Sequence, residues 1–206
     1  MRRLLIIPAR GGSRRIKNKN IKIFYNKPII YYPLIAAKNS KLFKKIHVST
    51  ESKKIKSVVK QIGFKNDFYR DKKLSNDNVG IIEVVNFVIK KYSEKNIFFD
   101  EVWCLYASSS LINKNDLIKI SKSFTKQKNS FLTVSKFPAP IYWAFRKTNK
   151  DKLKPVYPKK LKIDSRKFGD FYYDNGCLII LKKKDFFKPF NKIYFSGYDL
   201  PIYKAV

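Results

Sequence analysis

The sequence has few residues of the types that hold metals or form disulfides. It contains two cysteines and one histidine among 206 residues. Cys104 and Cys177 stand in separate apolar runs without C-x-x-C spacing, and His47 has no second histidine to act with. This composition excludes a zinc-finger module and a disulfide framework. We predict two small, buried thiols in a reducing compartment.

Long apolar runs are also missing. The opening MRRLLIIPARGG has the basic start of a signal peptide, but its apolar part, residues 4–8, is short. It also runs into charge where a small-residue cleavage site would be needed. No later run has the length of a membrane-spanning helix. We therefore predict a cytoplasmic protein with no membrane partner.

Acidic residues are scarce, with 15 Asp and Glu against 46 Lys and Arg, and the formal net charge is +31. Such a charge favours a polyanionic partner. However, 38 of the cations are lysines that are dispersed along the whole chain. Neither a basic patch nor a nucleic-acid-binding motif accompanies them. We predict no nucleic-acid partner, and a basic nucleic-acid-binding protein remains the weakest alternative.

Strand-like and helix-like segments alternate along most of the chain. Apolar runs predict strands at 4–8, 46–50, 101–106, 130–136 and 175–181. Amphipathic or capped segments predict helices at 28–40, 53–63, 79–92 and 113–127. Parallel strands need crossover connections, so this order predicts an α/β three-layer sandwich with a mostly parallel sheet.

The regular alternation stops after residue 136. Residues 137–174 carry four prolines and alternate aromatic with cationic side chains. We predict that they form an irregular β-arm that covers a site or a partner subunit, and that the protein is a homodimer. Because no repeat or low-complexity linker interrupts the chain, we predict a single domain over residues 1–206.

The most informative segment follows the first predicted strand and reads ARGGSRRIKNKN. Ligands of open parallel sheets bind beyond the carboxyl ends of the strands. Two glycines let the backbone turn sharply near an anion, and Arg10, Arg14 and Lys19 can neutralise several phosphate oxygens together. The segment fits neither the P-loop nor the dinucleotide fingerprint. A surface turn with solvated lysines is the alternative at this point.

The stretch IIPARGGSRRIKNKNIK resembles the opening signature of the acylneuraminate cytidylyltransferases, which activate nonulosonic acids with CTP. The resemblance continues in order through VSTESKKIKSVVKQIG, YRDKKLSND and CLYASSSLI. It implies a Rossmann-like nucleotidyltransferase fold of the GT-A type, with Arg10 and Lys19 as the catalytic cations. The implied nucleotide-binding residues are Ala9, Arg10, Gly11, Gly12, Ser13, Arg14, Lys19, Asn20, Ser108 and Ser109.

Later segments imply the sugar-acid site. FPAPIYWAFR and DSRKFGDFYYDNG resemble the pseudaminic acid branch of that family. The implied reaction joins a nonulosonic acid to CMP with release of pyrophosphate. Pseudaminic acid is the expected substrate, while legionaminic and sialic acids remain open. The implied substrate-binding residues are Arg70, Ser75, Asp77, Ser165, Arg166, Asp174 and Asn175.

The resemblance also implies Mg²⁺ as the cofactor, held in that family by an Asp-x-Asp pair late in the chain. This sequence reaches Val206 just where that pair is expected, so we assign no metal ligand. If Val206 is the true end, we expect weak or absent turnover with nucleotide binding partly retained. A catalytically impaired, nucleotide-binding homologue is therefore the main alternative. The turn Ala107–Ser110 also lacks the prolines usual in the family.

Overall fold

The computed structural model describes residues 1–13, 15–149 and 151–200. Its helices are α1 (Tyr31–Ser40), α2 (Lys53–Gln61), α3 (Ile81–Ser93) and α4 (Lys114–Thr125). Its strands are β1 (Arg3–Pro8), β2 (Ile23–Phe24), β3 (Lys27–Pro28), β4 (Lys45–Ser49), β5 (Glu101–Leu105), β6 (Ser130–Lys136), β7 (Phe145–Lys147), β8 (Leu153–Pro155), β9 (Tyr172–Lys182) and β10 (Phe195–Asp199).

The six longest strands form one sheet in the order β10-β6-β9-β5-β1-β4. β1 pairs in parallel with β4 and β5, and β6 pairs in parallel with β10. Only β9 is reversed in this sheet, because it pairs antiparallel with both β5 and β6. The predicted α/β fold with a mostly parallel sheet is confirmed. Strand β10 was not predicted, since FSGYD contains a glycine and two polar residues and lacks an apolar run.

The core consists of two apolar layers, one on each face of the sheet. Side chains alternate along a strand, so Leu5 and Ile7 of β1 face one layer while Leu4 and Ile6 face the other. Helices α1, α2 and α4 pack on the first layer, and α3 packs on the second. This is the predicted three-layer arrangement. Within the described ranges, no helix has the length and apolarity needed to cross a membrane.

The helix ends follow local sequence signals. The Ser52 hydroxyl accepts the Ile55 N–H at 3.3 Å and caps α2. The first predicted helix begins three residues late, at Tyr31, because Pro28 belongs to β3. Pro33 is tolerated as the third residue of α1, where the backbone N–H has no intrahelical acceptor.

Residues 137–174, the arm, contain a short antiparallel hairpin of β7 and β8. The Tyr142 ring organises the rest of the arm. Its centroid lies 5.5 Å from that of Tyr157, 4.8 Å from that of Phe168 and 5.2 Å from that of Phe171. Aromatic packing therefore replaces regular secondary structure in this part of the arm.

His47 of β4 is a buried titratable group on the α3 face of the sheet. Its side chain is fully buried, and its ring centroid lies 4.4 Å from that of Phe68. The Tyr92 hydroxyl lies 3.4 Å from Nδ1, and Nε2 has no hydrogen-bond partner among the described residues. Burial lowers the pKa of His47 from 6.5 to about 4, although Asp67 opposes the shift.

This burial predicts a loss of stability in mild acid. The unfolded chain binds a proton at His47 near pH 6.5, whereas the folded chain does so only near pH 4. Stability contributed by the neutral ring is therefore complete above pH 6.5 and is lost as the pH falls from 6.5 to 4. The shift corresponds to a loss of about 3 kcal/mol in the free energy of unfolding. Urea unfolding at several pH values would measure it.

His47→Phe is the matched variant, because it keeps an aromatic ring beside Phe68 but does not titrate. We expect its free energy of unfolding to change far less between pH 6.5 and 4.5 than that of the unsubstituted protein. Equal losses in the two proteins would show that His47 does not cause the acid sensitivity.

Candidate active site

A cavity of about 550 Å³ opens at the carboxyl ends of β1 and β5. We call it the first cavity. Three segments line it, namely the loop after β1, the loop before α3 with the start of that helix, and the residues after β5. Their main contributions are Arg10, Ser13, Arg15, Lys19 and Asn20 from the first, Arg70, Asn76, Asp77, Gly80 and Ile81 from the second, and Tyr106, Ala107 and Ser108 from the third.

The position of Arg10 is set from both sides of the cavity. Its guanidinium forms an ion pair with Asp77, and about a third of each side chain is exposed. Its carbonyl accepts a 2.9 Å hydrogen bond from the buried side chain of Asn20. Arg10 is therefore held at the cavity wall in reach of a ligand. In this structure, the Asn20 side chain stabilises the backbone of the turn through this hydrogen bond.

The other predicted cations and small residues of the turn divide into two groups. Ser13 and Lys19 line the first cavity with Arg10. Ala9 is buried, and its N–H donates to the Ser49 carbonyl at 2.9 Å, so it joins the turn to β4. Arg14 lies outside the described residues. The structure thus brings three of the predicted ligands together at one wall.

The two glycines of the turn have different roles. A Cβ on Gly11 would lie 3.1 Å from Ser52 Cβ, because the turn packs directly on the start of α2. A Cβ on Gly12 would meet no atom within 4 Å. The Gly11 N–H donates to Glu51 and the Ser13 N–H donates to the Gly11 carbonyl. These two N–H groups are therefore engaged within the protein, and the side chains of Arg10, Ser13 and Lys19 line the first cavity beside the turn.

Glu51 is a site residue that the sequence reading missed. One carboxylate oxygen accepts the Gly11 N–H at 2.7 Å, and the other accepts the Ser75 hydroxyl at 3.0 Å. Its place just beyond the carboxyl end of β4 was the available signal, since that end borders the β1 turn.

Arg70 and Ser75 are both predicted to bind the sugar acid. In the structure, both side chains donate hydrogen bonds within the protein. Arg70 is 5% exposed and donates to the Ser49 hydroxyl at 3.0 Å and to its carbonyl at 2.7 Å. Burial lowers the pKa of Arg70, and the nearby Glu51 carboxylate opposes this shift. Ser75 donates to Glu51, so its hydroxyl is engaged behind the cavity wall. Asp77, from the same loop, is at the cavity.

The residues after β5 also separate into lining and supporting positions. Ser108, a predicted nucleotide ligand, lines the first cavity. Ser109 is fully buried, and its hydroxyl donates to the Cys177 carbonyl at 3.2 Å. A direct nucleotide contact through the Ser109 side chain is therefore not supported, because that hydroxyl joins the turn to β9.

The structure separates the predicted sugar-acid residues of the arm and of β9. The Arg166 side chain is 88% exposed and pairs with Asp164 at 2.6 Å, Ser165 precedes it on the same short turn, and neither residue lines the first cavity. Asn175 is buried between β6 and β9, where it accepts from Thr133 at 2.9 Å. The Asn175 side chain is thus bonded within the sheet, and its contact with substrate stays a prediction.

Asp174 lines a second cavity of about 530 Å³, which adjoins the first and shares Gly80 and Ile81 with it. The other lining side chains are mostly apolar and come from α3 and from the loop after β9. Phe187 has a left-handed backbone with φ of 64°, and its N–H donates to the Asn86 side chain at 3.1 Å. A bulky residue in this conformation is strained, so the surrounding contacts hold it over the second cavity.

The described residues contain no group of three or more His, Cys, Asp or Glu side chains that could hold a metal ion. At the first cavity, Asp77 is engaged with Arg10. These residues do not form a protein site for Mg²⁺, and we derive no step that depends on one.

Comparison with known proteins agrees with this geometry. The model of a family described as cytidylyltransferase matches residues 4–203. A pseudaminic acid cytidylyltransferase of Campylobacter jejuni subsp. jejuni serotype O:23/36 is 34% identical over 201 residues, which cover 94% of this chain and 87% of the relative. A CMP-N,N'-diacetyllegionaminic acid synthase of Legionella pneumophila is 30% identical and covers 98% of this chain and 86% of the relative.

A solved CMP:2-keto-3-deoxy-manno-octonic acid synthetase in complex with CTP has the same fold, with a TM-score of 0.69 over 97% of this chain and 90% of that one. The identity is 13%, so this likeness concerns the fold alone. It confirms the predicted nucleotidyltransferase fold. On the match of the family model and the long alignments with curated relatives, the chain belongs to the cytidylyltransferase family.

Proposed function

We propose that this chain transfers the CMP group of CTP to a nonulosonic acid and releases pyrophosphate. The observation that carries the proposal is the first cavity, where Arg10, Ser13 and Lys19 lie together at the carboxyl end of β1. Membership of the cytidylyltransferase family indicates CTP as the nucleotide. The names of the relatives indicate a nonulosonic acid as the acceptor. We also propose that the reaction takes place in the cytoplasm, where nucleoside triphosphates are available.

In the proposed reaction, a hydroxyl oxygen of the sugar acid attacks the α-phosphorus of CTP. A new oxygen–phosphorus bond forms, the bond between the α-phosphorus and the bridging oxygen breaks, and the hydroxyl proton passes to solvent. Little covalent help is needed from the protein, because alignment and charge neutralisation lower the barrier. Arg10 and Lys19 would neutralise the charge on the departing phosphates, and Ser13 would donate to one of their oxygens.

The ion pair between Arg10 and Asp77 prepares the site for this role. The carboxylate keeps the guanidinium at the cavity wall, so Arg10 pays little conformational entropy when it meets a phosphate. Asp77 stands on the loop before α3, three residues before Gly80, which lines both cavities.

We propose that the second cavity receives part of the sugar acid. Its walls combine apolar side chains such as Ile82 and Phe190 with the carboxylates of Glu83 and Asp174 and the amide of Asn86. An N-acyl substituent has both an apolar end and an N–H donor, and it suits such a mixed wall. One relative is named for a diacetylated acid. Pseudaminic acid is our proposed substrate, because relatives with that name align at 34% identity over 94% of the chain.

The function is tested by measuring pyrophosphate release from CTP with pseudaminic, legionaminic and sialic acids in parallel. We expect turnover to be fastest with pseudaminic acid, and we expect it to need Mg²⁺ carried by the triphosphate. The same assay with EDTA tests the metal requirement. CTP binding measured by calorimetry without turnover on any of the three acids would instead support a nucleotide-binding protein.

Substitution of the proposed phosphate ligands should reduce activity sharply. A hydrogen bond to a charged group contributes about 1.5–3 kcal/mol, so Arg10→Ala or Lys19→Ala should lower kcat/KM for CTP about tenfold to a hundredfold. Lys17→Ala is the matched control, because Lys17 is an exposed cation of the same loop that does not line the cavity. If all three variants lost activity equally, general charge rather than these contacts would explain binding.

We propose that the arm forms a homodimer contact. The hairpin and its surroundings expose large apolar side chains, with Trp143 40%, Phe145 51% and Leu153 67% exposed. Exposed apolar area of this kind marks interaction surfaces. Light scattering should give a mass near twice 24.3 kDa, and the paired substitution Phe145→Ser with Leu153→Ser should shift it toward the monomer. A monomeric mass for the unsubstituted protein would contradict the proposal.

A further inference from the structure

Glu51 joins two loops that are far apart in sequence. It lies two residues beyond the end of β4 and between the turn after β1 and the loop before α3. Each of its carboxylate oxygens serves a different loop, since Oε1 accepts the Gly11 N–H at 2.7 Å and Oε2 accepts the Ser75 hydroxyl at 3.0 Å. Hydrogen bonds to an ionised acceptor are among the stronger ones in proteins.

The surroundings of Glu51 fix its carboxylate in place. The neighbouring Ser52 caps α2 with its side chain, and the backbone of Thr50 accepts the Arg70 N–H at 2.9 Å. The buried guanidinium of Arg70 is close enough for the Glu51 charge to raise the pKa of Arg70 against the effect of burial. Gly11 packs on the same segment, because a Cβ there would lie 3.3 Å from Glu51 Oε1. The carboxylate therefore has a fixed position between the turn after β1 and the loop before α3.

The same two loops meet a second time inside the cavity, through the ion pair of Arg10 and Asp77. Arg10 precedes Gly11, and Asp77 follows Ser75 by two residues, so the two links run side by side. A group that fixes Gly11 and Ser75 thereby limits the positions that Arg10 and Asp77 can take. Arg10 and Asp77 meet the ligand, whereas Glu51 acts behind them.

We propose that Glu51 is a positioning residue that docks the loop of residues 71–80 onto the phosphate turn and so sets the affinity for the nucleotide. This inference rests on the proposed function, because it takes CTP as the ligand of the first cavity. Glu51 acts through Gly11 and Ser75. It serves as a hydrogen-bond acceptor, and its charge near a phosphate site is unfavourable in itself.

The test compares two substitutions of Glu51 by calorimetric titration of CTP into the full 206-residue chain. Glu51→Ala removes both hydrogen bonds, and we expect the Kd for CTP to rise about tenfold to a hundredfold. Glu51→Gln keeps an acceptor for the Gly11 N–H and a partner for the Ser75 hydroxyl, and its Kd should stay within about threefold of the unsubstituted value. Glu94→Ala is the control, because Glu94 is an exposed carboxylate at the end of α3.

A double-mutant cycle separates loop docking from a general loss of stability. Because Ser75 acts through Glu51, Ser75→Ala should weaken CTP binding in the unsubstituted background and add little in the Glu51→Ala background. Thermal unfolding of each variant identifies any that fail to fold. If Glu51→Ala is one of them, Ser75→Ala decides, because it removes only the hydrogen bond to Glu51 Oε2 and should still weaken CTP binding.

The outcomes distinguish the inference from the proposed function. If the unsubstituted protein does not bind CTP, the proposed function is wrong and the inference falls with it. If the unsubstituted protein binds CTP and Glu51→Ala binds equally well, the inference alone is wrong. Equal losses for Glu51→Gln and Glu51→Ala in folded proteins would also contradict it, because they would show that the negative charge matters and the two hydrogen bonds do not.

Discussion

The site depends on how the turn after β1 is held. This turn leaves a strand whose four central residues are buried, and it must place Arg10 at the first cavity while its own backbone stays fixed. The carboxylate of Glu51 meets this need by accepting the Gly11 N–H, and Asn20 meets it again by donating to the Arg10 carbonyl. With both bonds in place, the guanidinium is directed by the fold and not only by its ion pair with Asp77.

The large positive charge of the chain does not by itself determine which anion binds. Most lysines lie on the surface and provide a broad positive field, which raises the local concentration of anions without choosing among them. Selectivity comes from the few cations that the fold places at the first cavity. Neighbouring carboxylates there act as internal partners: Asp77 holds Arg10, and Glu51 compensates the buried Arg70. The second cavity, with its strained Phe187, adds shape and apolar contact next to this polar wall.

Much of the architecture could be predicted because it depends on local signals. Buried apolar runs predicted five of the six strands of the main sheet, namely β1, β4, β5, β6 and β9. The serine before α2 is a residue type that commonly caps helices, and Ser52 does so here. Arg10 and Lys19 were expected at the cavity because their segment follows a strand end, whereas Ser13 was implied by the family resemblance. Other predicted site residues have hydrogen-bond partners that are distant in the chain: Asn175 bonds to Thr133, and Ser75 bonds to Glu51. Sequence spacing does not reveal such partners, so a polar residue that braces the fold looks like one that binds substrate.

A crystal structure of this chain with CTP would show whether the turn after β1 holds the triphosphate. We predict that the triphosphate lies at the carboxyl end of β1, with phosphate oxygens about 3 Å from the Arg10 guanidinium and the Lys19 ammonium group. We also predict that the Gly11 N–H keeps its bond to Glu51 in the complex. A triphosphate bound elsewhere, with Arg10 and Lys19 turned toward solvent, would contradict these predictions.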